Sequence, residues 1–251
     1  MNAKRTRRVG ELGAGIHARK IVSLSLRHPN HLFEGVDLYP KSGYARTLRE
    51  KKQHTKPANL DLRPGTDALE FLRKKPKNHY SHMYAHFVLQ KFPYRKRHEL
   101  IHEIARTMEP GSRLKLVEEY HFAEEFRKEL LQAGFQVHVK SITPQELLKL
   151  DTYNATENAT DQLKMRAIYD SLPEQLPADI AKKTGVKTKA QLQELHRRQM
   201  VEIVGKDLFS REPGAFDTEA NASLQRIARV AHYRWDMEKP FVVITCKKPR
   251  E

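Results

Sequence analysis

A short glycine turn and two acidic residues are the parts of this sequence best suited to bind a ligand. Residues 11–15 (ELGAG) follow an apolar stretch and precede a helical pattern. A strand that turns sharply into a helix presents backbone N–H groups, which can hold a nucleotide-like ligand with anionic groups. Asp37 ends the next apolar stretch, and Asp67 begins a later helical one. Both carboxylates can accept hydrogen bonds from hydroxyl or amino groups.

The glycine spacing argues against two common phosphate-binding loops. No Lys-Ser or Lys-Thr pair follows the glycines, as a P-loop requires. The fingerprint of dinucleotide-binding proteins has a third glycine, but Ala18 and Arg19 occupy the region expected for it. The turn therefore predicts a different class of nucleotide-like ligand.

The elements that position these residues alternate between strand and helix over residues 1–143. Apolar runs and helical periodicity separate clearly along this part of the chain. They predict strands at 8–12, 32–38, 58–62, 82–87, 113–117 and 135–142, with helices at 18–26, 44–53, 68–74, 95–108 and 122–133. This alternation predicts an α/β fold with a doubly wound, mostly parallel sheet and helices on both faces.

The pattern changes after residue 143. Residues 144–239 have long helical periodicities, whereas residues 241–246 (FVVITC) form one apolar, β-branched run. A single strand of this length does not form a sheet by itself. We therefore expect it to return beside the sixth strand as the seventh strand of the sheet. The predicted organisation is a ligand-binding core at 1–143, a helical insertion or cap at 144–239, and a final strand segment at 240–251.

Five motifs, in the right order, resemble those of the class I S-adenosylmethionine-dependent methyltransferases. They are ELGAG at 11–15, the acid at 37, TDA at 66–68, YAHFVL at 84–89 and ARTMEPGSRL at 105–114. The last is similar to the family's helix, Pro-Gly-Gly and strand signature, with Ser112 in place of the second glycine. The resemblance covers about residues 8–143 and 240–247. It implies a Rossmann-like seven-stranded fold and S-adenosylmethionine as the cofactor.

The resemblance also implies a role for each matching residue. The glycines would approach the methionine part of the cofactor, Asp37 would accept from the ribose hydroxyls, and Asp67 would accept from the adenine amine. The alternative for both acids is an ordinary position at the start of a loop or helix. The full implied set of cofactor-binding residues is Glu11, Gly13, Gly15, Asp37, Leu38, Asp67, Ala68, Ala85 and His86.

Methyl transfer from a sulfonium is an in-line displacement, so it depends mainly on positioning in a dry site. The sequence contains no evident catalytic triad, and the catalytic residues stay unassigned. Tyr84 and His121 are candidate bases by their location near strand ends. His82 and His86 are four residues apart on a predicted strand, with no third ligand evident, so we expect no metal site.

The segment after the fourth strand is the expected place for substrate to enter. Residues 92–98 (FPYRKRH) follow that strand, and we expect Tyr84, Arg95 and Lys96 to contact the substrate, with Arg97 as a third cation for phosphates. The alternative is a solvated helix start. This layout has a weaker similarity to the tRNA (guanine-7) methyltransferases, although Tyr94 stands where that family has an acid.

The charge distribution favours RNA as the substrate. The net charge is +15, and residues 1–143 hold 28 Lys and Arg against 15 Asp and Glu. Residues 144–239 hold 15 of each. A basic core attracts polyanions. The alternatives are a small-molecule methyltransferase with a helical lid, and an inactive scaffold that binds RNA or protein.

The remaining expectations concern the surroundings of the protein. The chain has a single cysteine, Cys246, which excludes an internal disulfide and a multi-cysteine zinc site. There is no apolar run long enough to cross a bilayer and no signal-peptide pattern. We therefore expect a cytoplasmic protein that does not associate with membranes. The sequence does not predict an oligomeric state.

Overall fold

The computed structural model describes residues 6–15, 17–38, 44–53, 55–150, 160, 163, 167, 170–192, 194–195 and 241–250. The chain divides into two compact units, one formed by Met1–Ala159 with Lys239–Glu251 and the other by Thr160–Glu238. None of the described helices has the length and apolar character needed to span a membrane.

The first unit alternates strands and helices, as the sequence predicts. Its strands are β1 (Arg8–Leu12), β2 (Leu32–Asp37), β3 (Leu60–Pro64), β4 (Tyr80–His86), β5 (Met108–Glu119), β6 (Gln136–Ile142) and β7 (Phe241–Lys247). Its helices are α1 (Arg19–Arg27), α2 (Tyr44–Glu50), α3 (Ala68–Arg73), α4 (Tyr94–Thr107), α5 (Ala123–Gln132) and α6 (Pro144–Leu148). Short 3₁₀ turns follow β4 at Leu89–Lys91 and β5 at Tyr120–Phe122.

All seven strands form one sheet in the order β3-β2-β1-β4-β5-β7-β6. The pairs between β1, β2, β3, β4 and β5 are parallel, whereas β7 runs antiparallel to both β5 and β6. The predicted fold class is therefore confirmed, and the last strand does lie beside the sixth. It also pairs with β5, so it fills the gap between these two strands.

Helices cover both faces of the sheet. On one face, α3, α4 and α5 pack on a core in which Leu100, Ile104 and Leu116 are completely buried. On the other face, α1 and α2 pack over the first three strands, with Ile21 and Phe33 buried between the layers. The apolar side of α4, the helix predicted at 95–108, therefore packs on the core.

One predicted boundary is wrong. The sequence predicts a helix up to residue 108 and a strand only from residue 113, but β5 already begins at Met108. Gly111 adopts φ +77°, and its N–H donates to the Lys248 carbonyl at 2.9 Å. The Lys248 N–H donates to the Ser112 carbonyl at 3.1 Å. Pairing of Met108 with Tyr80 of β4, and of Gly111 and Ser112 with the distant Lys248, therefore extends the strand through a Pro-Gly sequence that locally favours a turn.

Several of the described residues between 144 and 239 are helical. Thr143 and Glu146 form a reciprocal capping box at the start of α6. In the second unit, α7 spans Ala178–Thr184 and ends at Gly185 with φ +73°. Residues 160, 163, 167 and 189–192 are also helical. Residues 196–239 of the predicted helical insertion lie outside the described residues, and the role of this region as a cap stays a prediction.

Candidate functional site

The candidate site lies at the carboxyl ends of β1 and β4, where the path of the chain reverses. From β1 the chain proceeds outward to β2 and β3, whereas from β4 it proceeds in the opposite direction. Leu12 at the end of β1 pairs with Ala85 near the end of β4. In open α/β sheets, ligands bind in the crevice at such a switch point. The glycine turn and His86 both lie at this point.

The turn after β1 needs its glycines. Gly13 and Gly15 adopt φ +64° and φ +72°, a region that side chains with a Cβ rarely occupy. A Cβ on Gly13 would lie 2.3 Å from Cγ2 of Val88, which follows β4. The Ala14 N–H donates to the Val36 carbonyl at 3.1 Å. The turn is therefore held closely between β2 and the segment after β4.

Asp37 joins the glycine turn to the loop after β3. Its Oδ2 atom accepts a hydrogen bond of 2.7 Å from the Gly15 N–H. Its carbonyl accepts one of 3.0 Å from the Thr66 N–H. The structure thus brings together three of the five motifs of the sequence. The contact of the carboxylate with the turn itself was not foreseen.

Asp67 caps a helix. Its Oδ1 atom accepts from the N–H groups of Leu69 and Glu70 at 2.8 and 3.1 Å. This matches the alternative in which the acid belongs to a helix start, although a ligand contact stays a prediction. Ala68 is the buried first residue of α3, and Leu38 has 72% of its surface exposed beside Asp37.

Glu11 is a buried carboxyl group beneath the turn. Its Oε2 atom accepts a hydrogen bond of 3.0 Å from the Ile21 N–H in the first turn of α1. Burial raises the pKa of Glu11 to about 8, although the Ile21 hydrogen bond and the charge of Lys20 oppose this shift. The side chain is therefore largely protonated near neutral pH, and it organises the helix start rather than presenting a charge.

His86 is buried next to Glu11, with 3.8 Å between Nδ1 and Glu11 Oε1. Burial, together with the positive charges of Lys20 and Lys115, lowers the pKa of His86 to about 3. The imidazole is therefore neutral at physiological pH and is too weak a base to take a proton there. Among the described residues, no group of three or more His, Cys, Asp or Glu side chains is arranged to hold a metal ion.

Tyr84 and Lys20 line the same region. The Lys20 ammonium lies 5.8 Å from the centre of the Tyr84 ring and donates to the Leu150 carbonyl at 3.2 Å. Burial, and then the charge of Glu11, raise the pKa of Tyr84, so its phenol keeps its proton. This argues against Tyr84 as a base. The other candidate base, His121, has a side chain outside the described part. Sequence reasoning missed Lys20, although its place in the first turn of the helix that follows the glycine turn was a signal.

Glu118, at the end of β5, is a second buried acid that sequence reasoning missed. Its Oε1 atom accepts from the N–H groups of Val88 and Leu89 at 3.2 and 3.0 Å. Its Oε2 atom is buried without a hydrogen-bond partner among the described residues. Burial raises the pKa of Glu118 to about 8. The neighbouring Glu119 accepts from Gln90 at 3.3 Å. Paired acids after an apolar strand were the available signal.

The predicted cations after β4 divide into two kinds. Arg95 has 84% of its side chain exposed and lies 3.8 Å from Glu99, and Lys96 is also exposed. Arg97 is buried, and its guanidinium bonds to Glu129 at 2.7 Å and to Glu125. The expectation that Arg97 contacts phosphates is therefore wrong, because α5 supplies its partners. Whether Arg95 and Lys96 contact a substrate stays a prediction.

No family model matches the sequence, and no curated protein matches it. Among solved structures, the [4+2]-cyclase SpnF is similar with a TM-score of 0.50 and 15% identity, over 98% of this chain and 76% of the cyclase. An antibiotic-related methyltransferase has a TM-score of 0.48 and 20% identity, over 61% of this chain and 81% of its own. A SAM-dependent methyltransferase from Archaeoglobus fulgidus also has a TM-score of 0.48, at 12% identity over 97% and 86%.

The core shares its fold with these structures, a seven-stranded mixed sheet in an α/β arrangement. Identities this low establish the fold alone. One of the neighbours is a cyclase by name, so proteins that share this architecture differ in reaction. The activity must therefore be argued from the residues of the site.

Proposed function

We propose that this protein is an S-adenosylmethionine-dependent methyltransferase that acts on RNA. The observation that supports the cofactor most directly is the hydrogen bond between the Gly15 N–H and Asp37 Oδ2 at the switch point of the sheet. It holds a carboxylate at the end of β2, where α/β proteins bind ribose hydroxyls, against the turn that would carry the methionine part.

The residues of the site fit this cofactor. The turn at 13–15, Asp37, Leu38, Ala85 and His86 would hold it, and Glu11 would keep the turn and the start of α1 in place. When bound, S-adenosylmethionine supplies a methyl group on a positively charged sulfonium. His86 is suited to such a neighbour because its low pKa keeps the imidazole neutral. A protonated imidazole there would repel the sulfonium.

The protonation states of the site also favour one kind of methyl acceptor. His86 is too weak a base to remove a proton from a substrate at neutral pH. Tyr84 keeps its own proton at this pH, because its pKa is raised, so it cannot act as a base either. An acceptor with an available lone pair, such as a ring nitrogen of a nucleobase, needs no base. The residues would then act by positioning the acceptor and excluding water.

RNA is supported by charge and by one local similarity. The excess of positive charge lies in residues 1–143, which contain the candidate site. Arg95 and Lys96 are exposed at the start of α4, which follows β4 after a short 3₁₀ turn. The weaker similarity of residues 92–98 to the tRNA (guanine-7) methyltransferases makes tRNA the first RNA to test.

The test has a binding step and a transfer step. Calorimetric titration with S-adenosylhomocysteine should give binding that Asp37→Ala weakens at least tenfold. Asp61→Ala, which removes an exposed acid from β3, should leave it unchanged. Absence of binding to the wild-type protein would refute the cofactor assignment.

Transfer is measured with a radiolabelled methyl group and unmodified tRNA. Incorporation that Asp37→Ala abolishes supports the full proposal. If the protein binds S-adenosylhomocysteine but transfers no methyl group to the tRNA, the small-molecule alternative is favoured.

A further inference from the structure

The sheet face that α1 and α2 cover is apolar on β1, β2 and β3. On the strands β4, β5, β7 and β6, the same face carries polar and cationic side chains. On this face, α1 and α2 cover β1, β2 and β3, and Leu147 of α6 packs on the carboxyl end of β5 and the start of β7. Between these two regions, the side chains of four strands are polar and mostly exposed. We call this surface the cationic face and define it by His82, Tyr84, Arg113, Lys115, His138, Thr245 and Lys247.

The strand register places these residues in two adjacent rows. In the first row, Arg113 pairs with His82 on one side and with Lys247 on the other. In the second row, Tyr84, Lys115, Thr245 and His138 follow one another across the sheet. Residues in register on neighbouring strands point to the same side.

The intervening residues of these strands are apolar and face the helices on the other side. Leu114, Leu116, Ile244 and Cys246 are completely buried there. The strands therefore keep a strict alternation, apolar towards the core and polar or cationic on the cationic face. Antiparallel and mixed sheets often leave one face in water, but such a face usually mixes both charges.

Three cations of this face have no ion-pair partner within the described part of the chain. Arg113, Lys115 and Lys247 form no ion pair with a described residue. Arg113 and Lys247 stand directly opposite each other, an arrangement that is destabilising for like charges. The charges of Arg7 and Arg113 add to burial in lowering the pKa of His82, whereas the charge of Glu109 opposes this shift. An arrangement that costs stability is expected where a ligand uses it.

We propose that the cationic face binds the phosphate backbone of a single-stranded RNA segment. The inference rests on the proposed function, because it names the surface that would hold the substrate outside the methylation site. The four strands from β4 to β6 span roughly 14 Å, at about 4.8 Å per strand. Sheet faces with cations and rings suit single strands, because bases stack on rings while cations contact phosphates. The rings here are Tyr84 and His138.

Two observations favour RNA over an anionic membrane and connect the face to the candidate site. The two rows expose no aliphatic side chain that would enter a lipid surface. Tyr84 belongs to the second row and also lies beside the candidate site. Its ring is near the Lys20 ammonium, and its backbone is in register with Glu11 of β1. A strand bound on the face would therefore lead directly to the switch point.

The test compares two double variants with the same loss of charge. Arg113→Gln with Lys247→Gln neutralises the first row. Lys74→Gln with Lys128→Gln neutralises two exposed residues, one directly after α3 and one on α5, on the opposite side of the sheet. Binding of a fluorescent, unstructured RNA oligonucleotide is measured by anisotropy between 50 and 200 mM KCl.

We expect the first-row variant to bind RNA at least tenfold more weakly and the control to change by less than threefold. The slope of log Kd against log salt should fall by about 1.4 in the first-row variant, because each lost contact with a single strand contributes about 0.7. Equal losses in both variants, or none, would overturn the proposal. So would a loss of binding to phosphatidylserine vesicles with unchanged RNA affinity.

Titration with S-adenosylhomocysteine separates this inference from the proposed function. Both double variants should bind it as the wild-type protein does, since neither substitution touches the turn or Asp37. If the wild-type protein does not bind it but the first row still controls RNA affinity, the methyltransferase assignment fails and the surface assignment stands.

Discussion

Glu118 should make the protein less stable as the pH rises, which is opposite to the effect of a carboxylate in an ion pair. Its folded-state pKa is raised from 4.5 to about 8 by burial. The folded state therefore binds more protons than the unfolded state between these values. The contribution to stability is complete below pH 4.5 and is lost progressively towards pH 8. At about 1.36 kcal/mol per pKa unit, the loss has an upper bound of about 5 kcal/mol.

Glu118→Gln tests this directly. Glutamine keeps an oxygen that can accept from the Val88 and Leu89 N–H groups, but it does not ionise. The variant should come within about 1 kcal/mol of the wild-type protein near pH 5 and become more stable than it by several kcal/mol at pH 8. The measurement is urea unfolding followed by far-UV circular dichroism, from pH 5 to pH 8.5 at constant ionic strength.

The matched control is Glu124→Gln on α5, where 64% of the side chain is exposed. Its free energy of unfolding should follow the wild-type pH dependence. Glu11 shifts in the same direction, so Glu118→Gln should reduce the slope without abolishing it. If the Glu118→Gln and wild-type curves are parallel, or if the variant is the less stable of the two at pH 8, the reasoning is refuted.

Three further substitutions test other parts of the fold by urea unfolding. Gly13→Ala should destabilise by about 1–3 kcal/mol, because its Cβ meets Val88 at 2.3 Å at a positive φ, and it should abolish S-adenosylhomocysteine binding. Arg97→Met should cost about 3–5 kcal/mol by leaving Glu129 buried without its partner, and Glu129→Gln should restore most of that loss. Lys52→Gly should stabilise by about 1 kcal/mol, because Lys52 has φ +56° at the end of α2; no gain would contradict this.

The sheet was predictable because its signals are local. Apolar runs, helical periodicity and glycine turns alternate along residues 1–143, and each predicted strand is present. The start of β5 was not predictable, because it depends on pairing of Met108 with Tyr80 and of Ser112 with the distant Lys248. Local sequence favours a turn at Pro110, and only the folded sheet supplies the partner that overrides it.

In the candidate site, too, the features with local sequence signals were predictable and those set by distant partners were not. The glycines and Asp37 come from motifs in order, and the structure brings them into contact. Arg97 was misjudged because a run of three cations resembles a solvated surface, whereas its partners lie on another helix. The paired acids after an apolar strand marked Glu118, but its burial depends on tertiary packing and has no periodic signature.

The buried side chains of Glu11 and His86 limit the chemistry that the candidate site could support. Glu11 and His86 are both largely neutral near pH 7, because the same burial raises one pKa and lowers the other. A buried pair of this kind supplies shape and hydrogen bonds but neither a base nor a fixed charge. The related fold of a cyclase shows that the architecture permits different reactions. Reactions that depend on positioning, such as methyl transfer to a lone pair, therefore suit this site better than reactions that begin by removing a proton.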